Sequence, residues 1–259
     1  MFDERRHDID ALRSIALFLL IFYHLAVSFT SVAKWILFVP NNKPIDNIWS
    51  LLSIFNIWRI PLLFIIAGIA LRFSYQNRGV GKLFKERFKR LGIPYLFGVV
   101  TFVPLYIIIS AQFIYGDMSL DDNIGVLITS IFTGGHLWFL INILIYCLLL
   151  IPIIGFISNK KRGYKFVDSI LKIRGGVLLF SIPIILEGYL LDLTAYKEDI
   201  GYGNSYSEYY GTDHGLLLGF IWFFIGIVLT SQGDTFWEYN IKNINTLSLI
   251  HISEPTRRY

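Results

Sequence analysis

Two side chains near the start of this 259-residue chain, Arg13 and His24, are a fixed cation and a base that titrates close to neutrality. On a helix, eleven residues at 100° each leave a net rotation of about 20°, so both lie on one face, about 16 Å apart. Tyr23 points elsewhere. His24 can serve as a general base, or sit as a buried neutral imidazole hydrogen-bonded to a neighbouring helix. Arg13 can hold an anion, or anchor the helix at an aqueous boundary by snorkelling.

A third candidate is Arg59, in the middle of an apolar run and followed by Pro61. An arginine that deep either pairs with a buried acid, for which Glu187 is available, or meets an anionic ligand. Lys85-Glu86-Arg87-Phe88-Lys89-Arg90 is a basic cluster. It can bind phosphates, or mark membrane sidedness and attract anionic lipid headgroups. Gly134-Gly135-His136-Leu137-Trp138 joins glycines that permit close backbone approach to an imidazole and an interfacial indole. Tyr196, Tyr202, Tyr206, Tyr209 and Tyr210 crowd one later loop, where they can stack on sugar rings or sit at the interface.

The elements that must position these groups are membrane helices. Hydrophobic residues make up 54% of the chain and charged residues 16%, against roughly 25% charged in soluble proteins. The net charge of +4 sits in short clusters between apolar runs, which excludes a nucleic-acid binder. The single cysteine, Cys147, excludes a disulfide framework, and no metal-ligand spacing, phosphate-binding glycine loop or nucleophile elbow is present.

Six runs approach the roughly 20 residues that cross a bilayer: 14–33, 47–71, 91–115, 137–158, 175–193 and 215–231. Their continuous apolar character predicts an all-α polytopic helix bundle rather than a β-barrel. Connections 72–90 and 159–174 hold seven and six basic residues, while the alternate connections hold two, none and one. That bias predicts a multi-pass cell-membrane protein with a cytoplasmic N-terminus. Ser31-Val32-Ala33 resembles a signal cleavage site, but the long first run and the five that follow argue against removal. Pro61, Pro94, Pro104, Pro152 and Pro183 fall inside spans, where neighbouring helices satisfy the freed carbonyls.

Residues 247–257, Leu-Ser-Leu-Ile-His-Ile-Ser-Glu-Pro-Thr-Arg, back-translate into a transposase-type sequencing adapter. The expected division is therefore a partial membrane domain over 1–246 and a non-native tail over 247–259. His251 and Glu254 would then carry no chemistry.

Several of these residues together resemble the acyltransferase-3 family of multispan membrane O-acyltransferases. The opening Arg6-His7-Asp8-Ile9-Asp10-Ala11-Leu12-Arg13, running on to Tyr23-His24, is similar to that family's first span, including the ten residues between its arginine and histidine. Arg59-Ile60-Pro61-Leu62-Leu63-Phe64 with Ala67-Gly68 resembles the second-span pattern, where Ser-Gly is commoner. Arg87-Phe88-Lys89-Arg90-Leu91-Gly92-Ile93-Pro94-Tyr95 resembles the basic cytoplasmic motif, with either Arg87 or Arg90 in the leading role. His136-Leu137-Trp138-Phe139-Leu140 also fits. The likeness covers residues 6 to about 140, and six spans against the family's usual ten or so agree with an interrupted chain.

The resemblance implies transfer of an acyl group, usually acetyl, from cytoplasmic acyl-CoA as co-substrate to a hydroxyl of an extracytoplasmic glycan or similar acceptor. No bound cofactor, metal or nucleic-acid partner is expected; membrane lipids are. Arg13, Arg87 and Arg90 would hold the donor's phosphates, His24 would act as base or acyl relay, and Arg59 would stabilise charge on the thioester oxygen. His136 and Trp138 would meet the acceptor. The alternative from another class is an exporter of a glycan or small anion, with Arg59 and Glu187 lining the path.

Overall fold

The structure, a computed structural model, describes residues 7–231 except 37, 46, 77, 117–118, 159–161, 174–175 and 196–212. The tail expected over 247–259, its boundary at Thr246 and the five loop tyrosines lie outside the described residues. Among the described residues every regular element is helical. In chain order the elements are α1 (His7–Val27), α2 (Asn47–Gln76), α3 (Val80–Arg87), α4 (Ile93–Val100), α5 (Phe102–Tyr115), α6 (Leu120–Thr133), α7 (Trp138–Ser158), α8 (Arg162–Lys172), α9 (Ile182–Ala195) and α10 (Asp213–Ser231).

Five stretches are long and apolar enough to cross a membrane: Ile9–Val27, Trp58–Gln76, Val80–Tyr115, Gly135–Gly155 and His214–Ser231. The run expected over 175–193 comes out shorter. A 3₁₀ turn, Gly176–Ser181, leads into the 14-residue α9, and the apolar part ends at Tyr189. Pro183 has no N–H to give the preceding turn, so regular helix starts only there, and Glu187 interrupts the apolar run.

Proline also shapes the third span. Pro94 has no N–H for the carbonyl four residues back, and the helix widens into a π turn over Phe88–Gly92 just before it. Pro104 likewise frees the Val100 carbonyl, and the rod bends at Thr101, whose hydroxyl donates back to the Phe97 carbonyl at 2.7 Å. Besides α3, which runs on into the third span, two helices fall where no span was expected. Ser119 caps α6 by accepting the Asp122 N–H at 3.1 Å. The amphipathic α8 lays Val167 and Leu171 against Ile225, Val228 and Leu229 of α10.

The core lies between α2, α7 and α10, where Phe64, Leu71, Tyr146, Ile151 and Phe223 are fully buried. Backbones approach closely there: a Cβ on Gly68 would stand 2.1 Å from the Phe223 carbonyl oxygen, and one on Gly226 would stand 2.3 Å from that of Ile65. Small residues of this kind let membrane helices pack without lipid between them. Because the opposing atoms are backbone, leucine at position 68 can be accepted only by separating the helices. Gly68→Leu should cost about 2 kcal/mol or more, read as a lower thermal midpoint of the detergent-solubilised protein. An unchanged midpoint would mean that α2 and α10 do not touch at these glycines.

By contrast α1 leans on the rest of the bundle along one stripe. Ala16, Tyr23 and Val27 are buried, while Phe18, Ile21, Phe22 and Leu25 are exposed. Those apolar side chains face outward, as lipid contact requires.

Candidate active site

His24 sits beside that buried stripe of α1, part-buried and turned toward the bundle. Its Nδ1 lies 2.7 Å from the carbonyl oxygen of Leu20, one helical turn back. A carbonyl only accepts, so Nδ1 carries the ring proton and Nε2 carries the lone pair. That tautomer is the one a general base needs.

Three aromatic rings surround the imidazole. Phe38 stacks on it with centroids 5.8 Å apart at 27°, Tyr23 meets it edge-on at 5.8 Å, and His136 stands 5.8 Å away. Phe38 also touches His136, with centroids at 4.6 Å. Apolar rings on these sides lower the local dielectric, which strengthens charge interactions there.

Arg59 joins this group from α2. It is 1% exposed, its guanidinium carbon stands 4.0 Å above the centre of the Tyr23 ring, and its charge reaches His24. A cation over an aromatic face is held there by the ring quadrupole. Tyr23, expected to point away from the His24 face, is therefore the platform that ties Arg59 to α1. Glu187, weighed above as a partner for Arg59, takes another: His214 Nδ1 lies 2.5 Å from its Oε1, with side chains 18% and 3% exposed.

His136 arrives through a tight turn. Gly134 and Gly135 have φ of +67° and +46°, a backbone that L side chains rarely adopt. A Cβ on Gly134 would stand 2.8 Å from the Tyr95 hydroxyl, and one on Gly135 would stand 2.6 Å from the Tyr106 hydroxyl. The two glycines thus let α4 and α5 close on the turn, and His136 Nδ1 hydrogen-bonds the Tyr106 hydroxyl. Trp138 faces differently: it packs toward the core, 6.4 Å from the Phe64 ring.

The basic groups gather at the other end of α1. Arg13 is exposed, and Arg78, Arg90 and Arg13 all lie within electrostatic reach of Arg87. Arg87 is half-buried; one of its Nη atoms donates to the Ala70 carbonyl at 3.0 Å and to Ser74 Oγ at 2.5 Å. Arg90 is 69% exposed and pairs with Glu86 at 2.9 Å, and Glu86 also pairs with Arg78. Arg87 therefore clamps α3 to α2, whereas Arg90 presents its guanidinium outward. The structure thus gathers His24, Arg59 and His136 into one cluster and Arg13, Arg87 and Arg90 into a second.

Residues 6–250 match the acyltransferase domain that defines the acyltransferase-3 family. The chain belongs to that family. It is a multi-pass membrane protein of the acyltransferase class. No curated protein and no solved structure matches it. Among the rings that wall the acyltransferase's histidine cluster, Tyr23, Phe38 and Tyr106 were not foreseen as site residues. Tyr23 was visible beside His24, but the other two reach the cluster from separate elements, and only packing brings them in.

Proposed function

We propose that the protein transfers an acyl group, most simply acetyl, from cytoplasmic acyl-CoA to a hydroxyl of an extracytoplasmic glycan or comparable acceptor. The observation that carries this reading is the contact of His24 Nδ1 with the Leu20 carbonyl: it commits Nδ1–H and leaves the Nε2 lone pair to act in a cluster that also holds the buried Arg59.

The acceptor hydroxyl gives its proton to His24 Nε2 as its oxygen attacks the thioester carbonyl carbon. A C–O bond forms, and negative charge collects on the former carbonyl oxygen, where Arg59 stabilises it. Collapse of this intermediate breaks the C–S bond. The departing thiolate takes the proton back from the His24 imidazolium, so the products are the acyl ester and free CoA thiol. Arg13 and Arg90 hold the phosphates about 16 Å away along α1, and Arg87 fixes the segment that carries Arg90. The donor thus lies lengthwise along the first helix. His136 orients the acceptor from the opposite side of the cluster.

The two arginines of the basic motif should separate kinetically. Arg90→Ala removes an exposed phosphate contact and should raise KM for acyl-CoA about tenfold with kcat nearly unchanged. Arg87→Ala also releases the clamp to Ala70 and Ser74, so it should lower kcat and thermal stability as well. Steady-state kinetics of CoA release from acetyl-CoA, with surface glycan as acceptor, checks both. No acyl-donor dependence, with glycan moved unmodified, would make the protein an exporter instead.

A further inference from the structure

Tyr106 has no part in the mechanism above, yet it holds the second imidazole of the cluster. Its hydroxyl hydrogen-bonds His136 Nδ1, and its ring meets the imidazole edge-on, centroids 4.6 Å apart at 90°. The contact exists because Gly135 lacks the Cβ that would crowd that hydroxyl. Two imidazoles therefore stand 5.8 Å apart, each with Nδ1 already engaged, one by the Leu20 carbonyl and one by a phenol.

The engaging groups differ in kind. A carbonyl only accepts, but a phenol O–H both donates and accepts, and it is a stronger donor than a neutral imidazole N–H. Building on the acyl-transfer reading, we propose that Tyr106 is a positioning residue that donates to His136 Nδ1 and so fixes the His136 proton on Nε2. The neighbouring rings then have opposite polarity: His24 accepts at Nε2 and His136 donates at Nε2.

Opposite polarity recognises one functional group. A hydroxyl has one proton to give and lone pairs to receive. His24 takes the proton while His136 donates to the same oxygen, leaving a further lone pair aimed at the thioester carbon. A neutral amine has a single lone pair, and accepting from His136 would occupy the pair needed for attack. The pair thus selects an alcohol over an amine, and O-acylation over N-acylation.

The decisive test needs no acceptor. The full-length protein in detergent, labelled with ¹⁵N only in histidine, is examined by NMR at mildly alkaline pH, with His136→Gln assigning the signals. The expected spectrum has His24 protonated on Nδ1 and His136 protonated on Nε2. Protonation of His136 on Nδ1 overturns the proposal, whatever the reaction proves to be.

Tyr106→Phe keeps the ring and removes only the hydroxyl. It should shift the His136 signals toward mixed tautomers and lower kcat about tenfold, with KM for acetyl-CoA unchanged. His136→Gln, which keeps an N–H donor near the Nε2 position, should retain more activity than His136→Glu, which cannot donate when ionised. Wild-type tautomers in Tyr106→Phe would mean that the hydroxyl holds nothing in place. If the tautomers are as expected but no acetyl-CoA turnover is found, it is the acyl-transfer reading that fails.

Discussion

Replacing Arg59 by glutamine should lower kcat for acyl transfer by two to three orders of magnitude. Removing one preorganised donor from a site that stabilises a developing oxyanion costs roughly 10²–10³ in kcat, and here the group removed is a full charge in a buried setting. Glutamine keeps the polarity and much of the length, but loses the cation over Tyr23 and the charge that reaches His24. Lysine at 59 keeps the charge without the planar fork and should fall between the two. A purely structural arginine predicts another pattern, with loss of folded protein and normal turnover in what remains. Thermal melting alongside single-turnover kinetics separates the two cases.

His24→Ala is expected to have the larger effect, a fall of about 10³-fold or more in the chemical step. On the tautomer proposed above, His136 is a poor substitute, because its Nε2 carries the proton and its Nδ1 is engaged by Tyr106. KM for the donor should hardly change, since the groups proposed to bind its phosphates sit at the far end of α1. Folding should also survive, because His24 makes its hydrogen bond within its own helix and is only part-buried. A variant that inserts normally, binds donor normally and turns over at the wild-type rate would assign the base to another group.

Much of this arrangement was legible in the chain itself. The eleven-residue interval puts Arg13 and His24 on one face because helical periodicity is local; Arg59 and the basic cluster stand out as charges within or beside apolar runs, and the family resemblance adds roles for them. Four of the six expected spans reappear with shifted ends because a long apolar run admits little besides a membrane helix. The third span reappears joined to the basic segment ahead of it. The fifth, 175–193, departs for a reason readable in the chain: Pro183 and Glu187 cut that run. Helix α6 was also signposted, by Ser119 three residues before Asp122. The Tyr106–His136 bond and the approach of Gly68 to Phe223 were not legible, since both join segments far apart in sequence. The His214 partner of Glu187 was not legible either, because which helix lies beside α9 is a property of packing.

Whether acetyl transfer depends on His24 can be followed in whole membranes. Cells expressing the wild-type protein or His24→Ala at equal membrane levels are fed ¹³C-acetate, and their surface glycans are analysed by mass spectrometry before and after mild alkali. The account predicts alkali-labile ¹³C-acetyl esters on the wild-type glycan and none above background with His24→Ala. Equal labelling in the two strains would contradict it.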